Sequence, residues 1–173
     1  MVRRMRKDIS KGARRVVVYS FFREHGADGF YDSVKDNGDI ECRLLKNVVT
    51  DLSWFHEESA WPKMLVITSR AQMGISLMGV DQFHLMEPQW SSSDEEQAVG
   101  RVTRIGSHLP GACVTVYHWV STAPNKMHGT ADESVFNSMR RKKERTDRLL
   151  AHMSSTGSQM LKTLLRRFGI CSI

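Results

Sequence analysis

Two hydrophobic periods alternate along the chain. Short apolar or β-branched runs at Val16-Val-Val-Tyr-Ser20, Ile40-Glu-Cys-Arg-Leu-Leu45, Met64-Leu-Val-Ile-Thr68, Phe83-His-Leu-Met86 and Ala112-Cys-Val-Thr-Val-Tyr117 predict five strands. Stretches of helical length separate them: Gly29 to Asp36, Thr50 to Ala60, Arg70 to Leu77 and Ser93 to Gly106. Strict alternation of strand and helix implies an α/β fold, a mostly parallel sheet with helices on both faces. Val16 to Val18 and Met64 to Ile67 are apolar without alternation, as strands buried on both sides must be.

Helix boundaries carry recognisable chemistry. Thr50-Asp51 suits the start of the helix holding Trp54 and Phe55, and Ser92-Ser93-Asp94-Glu95-Glu96 puts hydroxyls and acids where a helix dipole favours them. Past Pro124 the character changes. Thr130-Ala-Asp-Glu133 reads as a capping box opening a long basic helix to about His152; Ser154-Ser-Thr-Gly-Ser158 is expected to break it before a last amphipathic helix from Met160 to Phe168. The expected organisation is one domain over residues 1–124 and a basic helical extension over 125–173.

The 173 residues are 40% hydrophobic and 25% charged, enough apolar material for one core. No apolar run approaches the length of a membrane span, and Met1-Val-Arg-Arg-Met-Arg-Lys7 leads into no signal-peptide core. A soluble, intracellular protein with no membrane partner is expected. Cys42, Cys113 and Cys171 are far apart and form no Cys-x-x-Cys pair, which points away from a disulfide framework or a zinc site and toward a reducing compartment. No two of the seven His stand at metal-ligand spacing, so no metal site is expected.

The net charge of +6 is divided unevenly. Residues 1–15 hold seven Lys/Arg against Asp8; residues 16–125 hold eight against fourteen Asp/Glu; residues 126–173 hold ten against four. An acidic middle lies between two basic ends. Such ends can bind phosphate backbones through charge, but on composition alone Arg140-Arg-Lys-Lys143 and Arg3-Arg4 read as solvated helix faces.

The strongest chemical signal is Gln97-Ala-Val-Gly-Arg101-Val-Thr-Arg104. On a helix, positions 97, 101 and 104 share one stripe, while Ala98, Val102 and Ile105 share another that turns to the core. Two guanidiniums and an amide then project from one face beside the small Gly100. Isolated arginines at this spacing are ordinarily solvated. Gln and Gly at fixed offsets, behind a strand, make a face suited to a triphosphate: the arginine fork stays charged and binds phosphate oxygens bidentately. Arg104 is the candidate finger toward a departing γ-phosphate, with Arg101 beside it.

These residues carry a resemblance. Gln97 to Arg104 is similar to the Gln-x-x-Gly-Arg-x-x-Arg motif of superfamily 2 helicases, and Thr68-Ser-Arg-Ala-Gln-Met-Gly-Ile-Ser-Leu77 resembles the preceding motif of Swi/Snf-type ATPases. His84-Leu-Met-Glu-Pro-Gln-Trp90 and Arg104-Ile-Gly-Ser-His108 resemble the branch containing nucleoside triphosphatase I and related helicases of large DNA viruses. Asp132-Glu-Ser-Val135, Met139 and Gly169-Ile-Cys171 are fainter echoes of that branch, and the likeness is good over about residues 14–120.

The resemblance implies a RecA-like C-terminal lobe, with ATP and Mg2+ held mainly by a first, N-terminal RecA-like lobe supplied in cis or trans. It implies nucleotide contacts from Gln97, Gly74, Arg101 and Arg104. Nucleic-acid contacts, to DNA or RNA, are implied for Ser20 and Phe21 at the end of the first strand and for Thr68, Ser69 and Arg70 after the third. Hydroxyls and amides at strand ends position a phosphate backbone without reading sequence. Viral transcription or replication proteins are further partners in that branch. Trp90 is expected to pack against the core rather than stack on a base.

One departure is decisive: the sequence has no Gly-x-x-x-x-Gly-Lys-Ser/Thr loop and no Asp-Glu-x-His/Asp after a strand. A finger without phosphate cradle and metal ligands hydrolyses essentially nothing, so the chain alone is expected to be inactive. The basic helix running straight into the first strand suggests a cut or start at an interlobe linker. A docking module that has lost catalysis is the alternative; an ordinary nucleotide-binding domain would need the missing loop.

Overall fold

The computed structural model describes residues 1–36, 38–46, 52–69, 75–104, 106–109, 111–124 and 129–167, with side chains to residue 155. Five strands, β1 Arg15–Ser20, β2 Glu41–Leu45, β3 Lys63–Thr68, β4 Gln82–Leu85 and β5 Thr115–His118, form one sheet in the order β2-β3-β1-β4-β5. Every neighbouring pair is parallel, with Val17 beside Leu65 and Phe83 at the centre. The expected α/β fold is the one observed.

The central strands are buried on both faces. Val17, Tyr19, Leu65, Ile67, Phe83 and Leu85 point to one side, where Phe55, Leu77, Val80, Ala98 and Val102 cover them. Val16, Val18, Met64 and Val66 point to the other, under Met5, Ala27, Phe30 and Val34. Each such aliphatic side chain, nearly free of solvent, contributes about 1.5–3 kcal/mol relative to exposure.

The second face is covered from the N-terminus. Helix α1, Val2–Ile9, drives Met5 fully into the core and leaves Arg3, Arg6 and Lys7 outside. Asp8 fastens it: its carboxylate accepts from the Tyr117 hydroxyl at 2.7 Å and from Arg4 Nε at 2.9 Å, bonds that lower its pKa, the tyrosine hydroxyl foremost. A π-helical turn, Arg23–Asp28, leads into α2, Gly29–Val34, on the same face.

The first face carries α3, Ser53–His56, and α4, Ser92–Gly100. The helix expected from Thr50 to Ala60 is a single turn among the described residues; Thr50 and Asp51, its expected cap, lie outside them. Its carbonyls are taken elsewhere: Lys63 Nζ donates to Trp54 O at 2.6 Å and Glu57 O at 2.8 Å, and Arg15 donates to Phe55 O and His56 O at 2.9 and 2.7 Å. Carbonyls held by these cations do not extend an i→i+4 ladder. Of the helix expected from Arg70 to Leu77, residues 70–74 lie outside the described residues, and 75–77 are not helical.

Helix α5, Ala131–Arg167, runs without the expected break at Ser154. Its capping box is present: Thr130 Oγ1 accepts from Glu133 N at 3.1 Å, and Glu133 Oε2 accepts from Thr130 N at 2.8 Å. Ser155 Oγ donates back to His152 O at 2.8 Å, so the hydroxyl is satisfied inside the helix. Serine and threonine each cost only a few tenths of a kcal/mol in a helix interior, too little to end one. Met139 is buried and Lys143 reaches Glu96 on α4, whereas residues 140–155 are exposed. No helix among the described residues is long and apolar enough to cross a membrane.

Candidate nucleotide and nucleic-acid site

In an open parallel sheet, ligands lie beyond the carboxyl ends of the strands, where successive connections leave to opposite faces. Here β1 is followed by the π turn and α2 on one face, and its neighbour β4 by α4 on the other. Ser20 and Thr68 end β1 and β3 at this edge, and Glu87 follows β4.

Ser20, the last residue of β1, is fully buried. Its Oγ lies 2.8 Å from Phe22 O and 3.0 Å from Glu87 Oε1. Phe21 N donates to the same carboxyl oxygen, and the Phe22 amide bonds the carboxyl as well. Burial raises the pKa of Glu87 against the pull of these donors. The Ser20 side chain is thus occupied within the protein.

Gly26 is required at this junction. A Cβ there would stand 2.0 Å from Ser20 Oγ and 3.2 Å from Phe22 Cβ, closer than any side chain tolerates. The turn therefore packs directly on the end of β1, and the two phenylalanines that follow are pushed outward: Phe21 is 45% and Phe22 55% exposed, edge to face at 5.5 Å. Thr68 is buried and Ser69 half-buried, with Ser69 Oγ donating to Phe21 O at 3.4 Å. Phe21, Phe22, Thr68 and Ser69 meet at one depression of about 500 Å3, joined by Arg23 and Lys46. Arg70 and Gly74 lie outside the described residues.

The stripe expected on one helix is only partly helical. Gln97 is exposed on α4, which ends at Gly100; Arg101 is its C-cap, and Arg104 lies in the turn beyond. Leu77 N takes the Arg101 carbonyl at 3.2 Å, whereas Val99 O still accepts from Thr103 N and Thr103 Oγ1, both at 3.1 Å. Val102 is still fully buried and holds the turn against the core. Ile105, the third member of the expected core stripe, lies outside the described residues.

Arg104 is exposed, and its guanidinium donates to Ser76 Oγ at 2.6 Å. Among the described residues neither Arg101 nor Arg104 forms an ion pair with a carboxylate. Ser76 was not singled out in sequence, although it lies within the Thr68–Leu77 stretch; Glu87, Phe22 and Lys46 were likewise unmarked. Trp90 is 60% exposed, contrary to the expectation that it packs on the core, because the Ser91 cap turns the chain into α4 directly after it. Its place in the core is taken by Gln89, 2% exposed, whose Nε2 donates to Glu87 O at 3.2 Å.

Behind the site, His84 is fully buried on β4. Trp119 Nε1 lies 3.1 Å from its Nδ1, which must accept, so Nε2 carries the proton toward Gln82 Oε1 at 3.1 Å. Its ring stacks on Tyr117 at 4.6 Å, and burial pushes its pKa down to about 4. Among the described residues no group of three His, Cys, Asp or Glu could hold a metal ion.

The helicase conserved C-terminal domain matches residues 10–106. A protein of Acanthamoeba polyphaga mimivirus assigned as an ATP-dependent RNA helicase is 36% identical over 87 residues, 47% of this chain and 20% of its own length. A termination factor NPH-I homolog of African swine fever virus is 35% identical over 69 residues, 38% of this chain and 10% of its own. The chain thus spans a fifth or less of these relatives. The C-terminal part of the Fun30 ATPase domain superposes with a TM-score of 0.63 at 16% identity, covering 80% of this chain and 43% of that one. That likeness fixes a RecA-like fold.

Proposed function

The chain belongs to the helicase conserved C-terminal domain family, and from that premise we propose that it is the second lobe of an ATP-driven helicase or translocase, supplying the arginine finger and part of the nucleic-acid track. The observation that carries this reading is the state of the two arginines. Arg104 projects into solvent from a turn pinned by buried Val102, and its guanidinium rests on a neutral serine rather than a carboxylate. A guanidinium kept out of ion pairs retains its full charge for a phosphate. Arg101 and the Gln97 amide are assigned to the same approach by resemblance.

The donor set fits a triphosphate and does not fit its metal. With cations and an amide at this edge, and no carboxylate cluster among the described residues, Mg2+ falls to the first lobe, which also brings the phosphate loop this sequence lacks. What this chain adds is positive charge at a fixed place where negative charge develops, the largest kind of contribution a protein makes to phosphoryl transfer. Thr68 and Ser69 are assigned by resemblance to a phosphate backbone along the same edge, while buried Ser20 and the Glu87-bound amides of Phe21 and Phe22 support that edge rather than touching it. Arg70 and Gly74 are assigned by resemblance.

A second reading has its own observation. Helix α5 exposes Arg140, Arg141, Lys142, Lys143, Arg145 and Arg148, as a nucleic-acid docking module without catalysis would. Complementation separates the two. The chain alone is expected to release no phosphate from ATP above background, and joined to a first lobe carrying the phosphate loop it restores nucleic-acid-stimulated turnover. A joined protein that binds nucleic acid and still hydrolyses nothing supports the docking module.

A further inference from the structure

We infer that Phe21 and Phe22 form a stacking platform for an unpaired nucleobase, so that this edge of the sheet prefers a single strand to a duplex. The inference rests on the nucleic-acid reading above and goes further, from backbone contact to the base itself. Two adjacent phenylalanines half in water at a strand end are unfavourable unless something covers them. Neither can retreat. The Phe21 and Phe22 amides are held by the Glu87 carboxyl, Ser69 Oγ bonds the Phe21 carbonyl, and the Gly26 turn fills the space behind.

The shape of the pair matters as much as its exposure. At 85° between planes and 5.5 Å between centroids the rings meet edge to face rather than stacked on each other, which leaves the half-exposed pair able to take a flat π system on a ring face. Around them the depression is lined by Arg23, Lys46, Thr68 and Ser69, with Glu24 the only acid lining it among the described residues. Cations and hydroxyls next to exposed rings are the chemistry of a single nucleic-acid strand, which offers phosphates and splayed bases together. In a duplex the bases are stacked inside and present only edges and backbone. A protein partner with acidic and apolar side chains would meet the same charges, but its occupancy would not depend on a ring at position 22.

The test uses the full chain and fluorescence anisotropy with a labelled oligo-dT, its oligo-rU counterpart and a duplex of equal length. Wild type is expected to prefer the single strand, with DNA, RNA or both. Phe22→Ala and Phe22→Leu should each weaken single-strand binding roughly 10-fold and reduce the preference over duplex, and Phe22→Trp should restore both. The leucine variant separates π stacking from simple apolar contact. A 2-aminopurine placed in the oligonucleotide should change fluorescence on binding wild type and not Phe22→Leu. Because both rings are exposed, unchanged melting temperatures establish that the variants are folded.

Equal affinity for single strand and duplex in wild type, or losses of the same factor for both in Phe22→Leu, would overturn the stacking platform and leave the track intact. Binding to none of the three probes would overturn both.

Discussion

Replacing Gly26 by alanine should cost far more than a methyl group ordinarily does. The added Cβ would stand 2.0 Å from Ser20 Oγ, with Ser20 Cβ and Phe22 Cβ each at 3.2 Å. Ser20 is fully buried, so its hydroxyl must rotate away from Phe22 O and finds no water to replace that bond. Overpacking of this kind costs about 1–3 kcal/mol, and a buried hydroxyl left without its partner about 1–3 more. A total near 3 kcal/mol lowers the melting temperature of a domain this size by about 6–12 °C. Adding Ser20→Ala removes the atom the new methyl strikes, so the double variant should recover about 1–2 kcal/mol relative to the sum of the singles. Gly100→Ala is the control: nothing lies within 4 Å of its would-be Cβ, and it should be neutral or stabilising by up to about 1 kcal/mol. Thermal and urea unfolding of wild type, the two single variants, the double variant and the Gly100→Ala control decide it. Wild-type stability in Gly26→Ala, or strict additivity with Ser20→Ala, would refute the close packing on which the outward set of Phe21 and Phe22 depends.

Other expectations follow from single groups. His84 titrates near 4 when folded and near 6.5 when unfolded, so the unfolded chain holds more protons between those values and its stabilisation, about 3 kcal/mol, is lost as pH falls through that window. Urea unfolding at pH 7 and 4.5 should show the loss, and a resonance assigned to the His84 imidazole that titrates near 6.5 would contradict it. Thr130→Ala should cost about 1 kcal/mol through the lost cap of α5, read as a lower melting temperature with reduced helicity; an unchanged melt would deny the capping box a role. Burial pushes the Cys42 thiol up to about 12, whereas Cys113 is exposed. Iodoacetamide at pH 8 should therefore modify Cys113 and spare Cys42, as located by peptide mass spectrometry, and rapid labelling of Cys42 would count against the packing around β2.

The strands were legible because their signal is local. Val16 to Tyr19 and Met64 to Ile67 are apolar at every position, a pattern only a strand covered on both sides explains, whereas the strand order is seen only in the fold. The Thr130 cap was legible for the same reason: its partners are three residues apart. What could not be read were ends set by distant groups. Nothing around Trp54 announces that Arg15 and Lys63, from other parts of the chain, will take its helix carbonyls, nor does Gly100 reveal that Leu77 claims the carbonyl of Arg101. Glu87 escaped notice because a carboxylate beside Pro88 reads as a loop residue until Phe21 and Ser20 are seen to converge on it. The arginine pair was found by its spacing, although the helix that motivated the spacing stops before Arg104.

Whether those arginines complete a pocket across two lobes is decided most directly by steady-state ATP turnover in the joined two-lobe protein, comparing wild type with Arg104→Ala and Arg104→Lys. A group that acts on developing charge should lower kcat by about 10³-fold or more in the alanine variant with little change in KM, and lysine, lacking the planar fork, should restore only a part. Unaltered kcat with a raised KM, or full activity in Arg104→Ala, would contradict the account.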